Sequence, residues 1–158
     1  MNDNRENNVV QASGIISWIT WLIVIGSFFF QASCSRQTGH TAPSLAGSDV
    51  VVDVKALKQE VPQFFTYQYQ GKNISFFVIK IDDHILSFLD ACVTCYPYKQ
   101  GYRYEDGVVV CRACNQRFPV YKLEKGIGNC YPIKIAGRIE NGKYLIPRSS
   151  LEQESGKF

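Results

Sequence analysis

Residues 65–89 read FTYQYQGKNISFFVIKIDDHILSFL, and this stretch decides the fold. Phe65, Tyr67 and Tyr69 alternate with Thr66 and Gln68 at the two-residue period of a strand. Gln70, Gly71, Lys72 and Asn73 supply a turn, and residues 74–81 are apolar on both faces, as a central strand is. Asp82, Asp83 and His84 then turn the chain into residues 85–89. The same rhythm continues downstream, with short strands expected at 108–110, 118–121, 131–135 and 143–146. Gly137 and the Asn141-Gly142 pair mark turns between the last two. Residues 52–58 read as a strand end or a helical turn, and Pro62 stops any helix there. The expected fold class is therefore all-β, a single small antiparallel domain over residues 50–148. Residues 149–158 are expected to be a frayed, disordered tail. Ten Phe and nine Tyr against one Met suit a strand-rich chain, and 158 residues leave room for one domain and a short appendage.

The appendage lies upstream. Residues 15–30 carry no charge and are mostly apolar, with Trp18 and Trp21 inside the run. As a helix they rise roughly 24 Å, slightly less than a ~30 Å hydrocarbon core, and the neutral flanks extend them to a feasible span. Gln31-Ala32-Ser33-Cys34 ends the run like a lipoprotein processing site, in which Cys34 takes the lipid; Gln31 stands where such sites usually carry Leu. Residues 1–34 are thus expected to be a membrane helix or a lipoprotein signal, and residues 35–49 a flexible tether. Arg5 and Arg36 flank the segment and leave the charge rule for orientation tied, so the lipoprotein-like end carries the expectation of an extracytoplasmic domain. A net charge of +3 gives no reason to expect nucleic acid.

Function is concentrated further along. Cys92 and Cys95 form one C-x2-C pair, Cys111 and Cys114 a second, and residues 96–110 separate them. Each pair sets two thiolates on one tight turn, and folding back the intervening stretch gathers four sulfurs around a metal. Cys92, Cys95, Cys111 and Cys114 are the expected ligands. Cys130, behind the Gly-rich turn Gly126-Ile127-Gly128-Asn129, reads as an additional ligand, a neighbouring thiol or a redox partner. Thiolates suit both zinc and iron–sulfur clusters, and spacing alone does not separate them. Disulfides are the competing reading in an oxidising compartment, although a lipidated Cys34 would leave an odd thiol.

Other features carry less. Seven cations lie between the first cysteine and Lys134 (Lys99, Arg103, Arg112, Arg117, Lys122, Lys125 and Lys134), and they offset a four-thiolate centre or form a solvated face. Tyr96, Tyr98, Tyr102 and Tyr104 are expected to pack as a lid over the site. His40 reads as free in the tether and His84 as a surface residue of a hairpin turn. No Ser-His-Asp set, carboxylate pair or phosphate loop is present, so the reading leans away from an enzyme.

The segment 90–135 resembles the FtrD-like membrane iron–sulfur protein family. The shared pattern is the first C-x2-C, Gly101-Tyr102, Cys111-Arg112-Ala113-Cys114, Arg117-Phe118-Pro119 and Cys130-Tyr131-Pro132, with Asn129 where a second glycine is usual. The resemblance covers about residues 53–147 and implies a role in bacterial iron transport or the electron supply to it. The order of strands and metal pairs is also similar to Rieske ferredoxins, where Cys95 and Cys114 would be histidines. That likeness implies a Rieske-like or zinc-ribbon-containing scaffold carrying an all-cysteine site. A single Arg5 followed by Glu6 is not a twin-arginine signal. The domain therefore faces the cytoplasm, is loaded after export, or holds zinc. The leading expectation is a membrane-anchored domain holding an iron–sulfur cluster or zinc, with the membrane and a transport or redox protein as partners. A structural zinc-ribbon interaction module and a thiol–disulfide redox protein are the alternatives.

Overall fold

A computed structural model describes residues 39–158, so the expected membrane segment and Cys34 lie outside the described residues. Eleven strands run in chain order: β1 (Ser44–Ala46), β2 (Asp49–Asp53), β3 (Gln63–Tyr69), β4 (Lys72–Ile81), β5 (His84–Cys92), β6 (Tyr102–Glu105), β7 (Val108–Cys111), β8 (Arg117–Pro119), β9 (Pro132–Ile135), β10 (Arg138–Glu140) and β11 (Lys143–Pro147). One short helix, α1 (Arg148–Glu152), follows. The strands form three antiparallel sheets, ordered β1-β2-β11-β10, β3-β4-β5-β9 and β6-β7-β8. The expected all-β antiparallel class is what the structure shows.

The second sheet is covered on both faces, and the pleat explains how. Alternate residues of a strand point to opposite sides. On β4, Ile74, Phe76 and Val78 join a core with Val50, Val52, Tyr144 and Ile146 of the first sheet. Their neighbours Phe77 and Ile79 join a different core with Tyr102, Val109 and Phe118 of the third sheet. All five β4 residues are fully buried, which is why this segment is apolar on both faces. On β5, Leu89 and Ala91 face the first core while Phe88 and Cys92 face the second. The pairing of β5 with β9 shifts register between Phe88 and Cys92, just ahead of the first cysteine.

Ordered structure extends beyond the expected boundaries at both ends. Within the expected tether, Thr41 N–H donates to Phe64 O (3.1 Å) and Thr66 N–H to Thr41 O (3.0 Å), and β1 pairs with β2. All three β1 residues are exposed, so no burial pattern marks this edge strand in the sequence. The expected tail is likewise built into the domain. Leu151 of α1 is fully buried in the first core, Tyr67 Oη donates to Glu152 Oε1 (2.7 Å), and Lys72 Nζ donates to Ser155 O (2.8 Å). We expect Leu151→Ala to cost about 2–5 kcal/mol, the usual range for emptying a buried leucine site. Urea denaturation checks this; a change below about 0.5 kcal/mol would restore the frayed-tail reading.

Two further differences concern the hairpins. Residues 102–105, where no strand is expected from the sequence, form β6 against β7. β8 stops at Pro119, which has no N–H for the ladder, and a 3-10 turn at Val120–Lys122 replaces the expected strand end.

Candidate metal centre

Two strands end in the same way. β5 delivers Cys92 and β7 delivers Cys111, each at the last residue of its strand, and each is almost wholly buried, at 2% and 1% exposure. A tight turn follows each and presents the second cysteine of the pair, with Cys95 half-buried and Cys114 exposed. Backbone N–H groups of Thr94 and Cys95 point to the Cys92 sulfur, and those of Ala113 and Cys114 to the Cys111 sulfur. The second turn is fixed by Cys111 N–H on Gln116 O (3.0 Å) and Asn115 N–H on Cys111 O (2.9 Å).

A third segment closes the site. Val93 N–H donates to Tyr131 O (3.1 Å), and Thr94 Oγ1 donates to Asn129 O (2.6 Å), which draws residues 129–131 against the first turn. Cys130 thereby comes to 2.9 Å, sulfur to sulfur, from Cys92 and 3.5 Å from Cys114. The sulfurs of Cys92, Cys95, Cys111 and Cys130 all lie within 4.8 Å of one another. Cys114 stands just outside this quartet, on its exposed side. The structure thus gathers all five thiols, with Cys130 in the compact set where the sequence pairs Cys114 with Cys111.

The electrostatics are those of crowded thiols. Burial pushes Cys92 up, but hydrogen bonds from Cys130 and the two backbone amides, with the Tyr102 hydroxyl close by, outweigh it and bring the thiol down to about 7. Burial, helped by the neighbouring thiolates, pushes Cys95 up to about 12 and also raises Cys111 and Cys130. Cys114 is lowered, because the Gln116 amide and the surrounding thiols outweigh its burial. Thiolates at such spacing repel one another, and a cation at their centre relieves that repulsion.

The donor set fits a thiolate-bound metal. With metal–sulfur bonds of ~2.3 Å, a tetrahedral site has sulfurs about 3.8 Å apart. The quartet lies within that scale. Thiolates serve zinc and iron centres alike, so the donor set is that of a metal site of either kind.

Tyr102 is the residue whose role here the sequence hides among four tyrosines. It is 1% exposed, held edge-on between Phe77 and Phe118 with ring centroids 6.1 Å from each. Its hydroxyl is enclosed without a completed hydrogen bond and lies against Cys92, whose thiolate it favours. Tyr98, by contrast, is 70% exposed, so the expected four-tyrosine lid reduces to Tyr102 beneath the site. We expect Tyr102→Phe to raise the Cys92 thiol in the metal-free chain while changing stability by no more than about 1 kcal/mol, since no completed hydrogen bond is lost. Ultraviolet thiolate absorbance against pH measures the shift; an unchanged first ionisation would remove Tyr102 from the electrostatics of the site.

Beside the thiols, Asp90 is nearly buried, accepts from Tyr102 N–H (2.6 Å) and lies 3.2 Å from His40 Nε2. His40, expected to be free, is tied to the site's margin. Gly101 is required here: φ is +64°, and a Cβ would stand 2.6 Å from the Asp90 carboxylate. A cavity of about 400 Å3 opens beside Cys95 and Cys111, bordered by His40, Asp90, Lys72, Lys99 and Lys157. His84 is exposed, as expected. Several of the nearby cations are engaged: Arg103 and Arg117 with Glu105, Lys134 with Glu124, and Arg112 Nε with Tyr102 O (2.9 Å).

A family model described as "Membrane iron-sulfur containing protein FtrD-like" matches residues 45–158. No curated protein matches the chain.

Proposed function

The chain belongs to the FtrD-like family of membrane iron–sulfur proteins, and from that premise we propose that its cysteine site holds iron and serves electron transfer or iron handling beside a membrane transport system. The observation that carries the reading is the convergence of Cys92, Cys95, Cys111 and Cys130 within 4.8 Å of one another. Bound there, iron would supply one-electron chemistry or a transferable ion. The residues around it have readable tasks. Cys92 and Cys111 anchor the centre to the ends of two strands, and the amides of the two turns stabilise sulfur charge. Tyr102 sets the charge on Cys92, and the lysine-bordered cavity offsets the negative centre.

The domain is proposed to be held at the membrane by residues 1–34, on the extracytoplasmic side, because the 31–34 segment is lipoprotein-like. Among the described residues no helix is long and apolar enough to cross a membrane. The size of the quartet favours a second reading, a single zinc ion in a structural ribbon that docks a partner. Anaerobic purification of the full chain in detergent, followed by elemental analysis and a visible spectrum, decides between them. Brown or red protein with iron supports the proposal, whereas colourless protein with zinc supports the second reading.

Loading should also be pH-dependent in a defined direction. Cys95, Cys111 and Cys130 have raised thiols, so at neutral pH they hold protons until the metal arrives. The loaded state binds fewer protons than the empty one, so affinity rises with pH and is lost as pH falls. Competition titrations at mildly acidic, neutral and mildly alkaline pH should show this slope, with acidification of a weakly buffered solution on loading. A flat profile would mean that raised thiols are not the ligands.

A further inference from the structure

The described domain carries five converging thiols, one more than a tetrahedral thiolate site takes. Their accessibility is unequal. Cys92 and Cys111 are buried at strand ends, Cys95 is half-buried, and Cys114 is exposed. Cys114 lies outside the compact quartet yet 3.5 Å from the sulfur of Cys130, near enough to replace it with a small movement. The segment carrying Cys130 is held by loop hydrogen bonds alone, those of Val93 and Thr94 among them. It is a short turn with Gly126 at φ +62° and Gly128 at φ +59°, closed by reciprocal hydrogen bonds between Ile127 and Cys130 (3.0 and 3.1 Å). No strand fixes Cys130, unlike Cys92 and Cys111.

We propose that Cys114 and Cys130 are alternating fourth ligands, and that their exchange is the route by which metal enters and leaves the site. This rests on the reading that the quartet holds a metal. In the exchange a Cys114 sulfur–metal bond forms as the Cys130 sulfur–metal bond breaks. The released Cys130 thiolate takes a proton from water, Cys114 gives one up, and no electron changes hands. With Cys114 as ligand, the ion is held on the exposed side of the centre by an exposed thiol. An acceptor's donor atoms can reach it there without opening the core. The function this adds is transfer: the centre delivers or receives an ion instead of keeping it as a permanent staple.

The test uses the full chain in detergent, reconstituted with cobalt(II), whose thiolate absorption reports both occupancy and ligand set. Cys114→Ser and Cys130→Ser are each expected to retain one cobalt per chain, because the other thiol fills the fourth position, while the double variant loses it. Release of cobalt to excess EDTA should be slower in Cys114→Ser than in the parent by about tenfold or more, the scale on which groups beside a ligand alter metal binding. Cys114 is exposed, so this variant leaves the core intact and its release rate decides the matter even if Cys130→Ser folds poorly. Release at the parent rate, or loss of cobalt from Cys114→Ser alone, overturns the exchange while leaving the metal reading standing. A parent chain that takes up no cobalt overturns both.

Discussion

Cys111→Ser is expected to abolish metal binding and the cooperative unfolding transition together. Cys111 is 1% exposed and belongs to the quartet, and its strand neighbour across the ladder is Tyr102. Two costs add. A serine hydroxyl is a poor ligand for a soft thiolate site, and structural zinc in small folds contributes on the order of 10 kcal/mol. The new hydroxyl would also sit in the second core, where an unsatisfied polar group costs about 1–3 kcal/mol. A domain of this size has roughly 5–15 kcal/mol in total, so little cooperative stability remains. Calorimetry and elemental analysis on the same sample provide the check. A variant with full metal content would show that Cys111 is not a ligand; one that lost metal but unfolded sharply at the parent temperature would show that metal and fold are uncoupled.

The parts of this chain that were legible beforehand are those where burial writes a pattern. Residues 76–79 carry four apolar groups in a row because both faces of β4 are covered, and that is visible in the sequence itself. The convergence of the two C-x2-C turns was legible for a related reason, since each turn is a local unit closed by its own backbone amides. The illegible parts lack such a pattern. β1 buries nothing, and α1 buries chiefly Leu151 in an otherwise polar run. The place of Cys130 beside the two pairs also could not be read. The two pairs look equivalent in sequence, but a third segment, placed by Val93 and Thr94, fills the quartet from one side and leaves Cys114 outside it. His40 and Asp90 meet across the fold, and neither has a spacing that announces the other.

The two faces of β4 permit a test of whether the site depends on general stability or on one particular core. Phe76 and Phe77 are adjacent and both fully buried. Phe76 stacks on Phe65 at 5.3 Å in the first core. Phe77 lies 5.3 Å from both Phe64 and Phe88 and 6.1 Å from Tyr102, which in turn lies against Cys92. Either residue changed to Ala should cost about 3–5 kcal/mol, as buried phenylalanines generally do. Their effects on the metal should differ. Phe77→Ala removes the ring that holds Tyr102 edge-on and opens a void beneath the thiols, so metal affinity should fall with stability. Phe76→Ala empties the far core and leaves the thiol geometry in place. Because a bound metal stabilises the folded state by the logarithm of its affinity, the gap between metal-loaded and metal-free denaturation midpoints follows that affinity. The gap should narrow in Phe77→Ala and stay at the parent value in Phe76→Ala. If both variants narrow it equally, the centre responds to the stability of the whole domain, and the second core has no special part in shaping it.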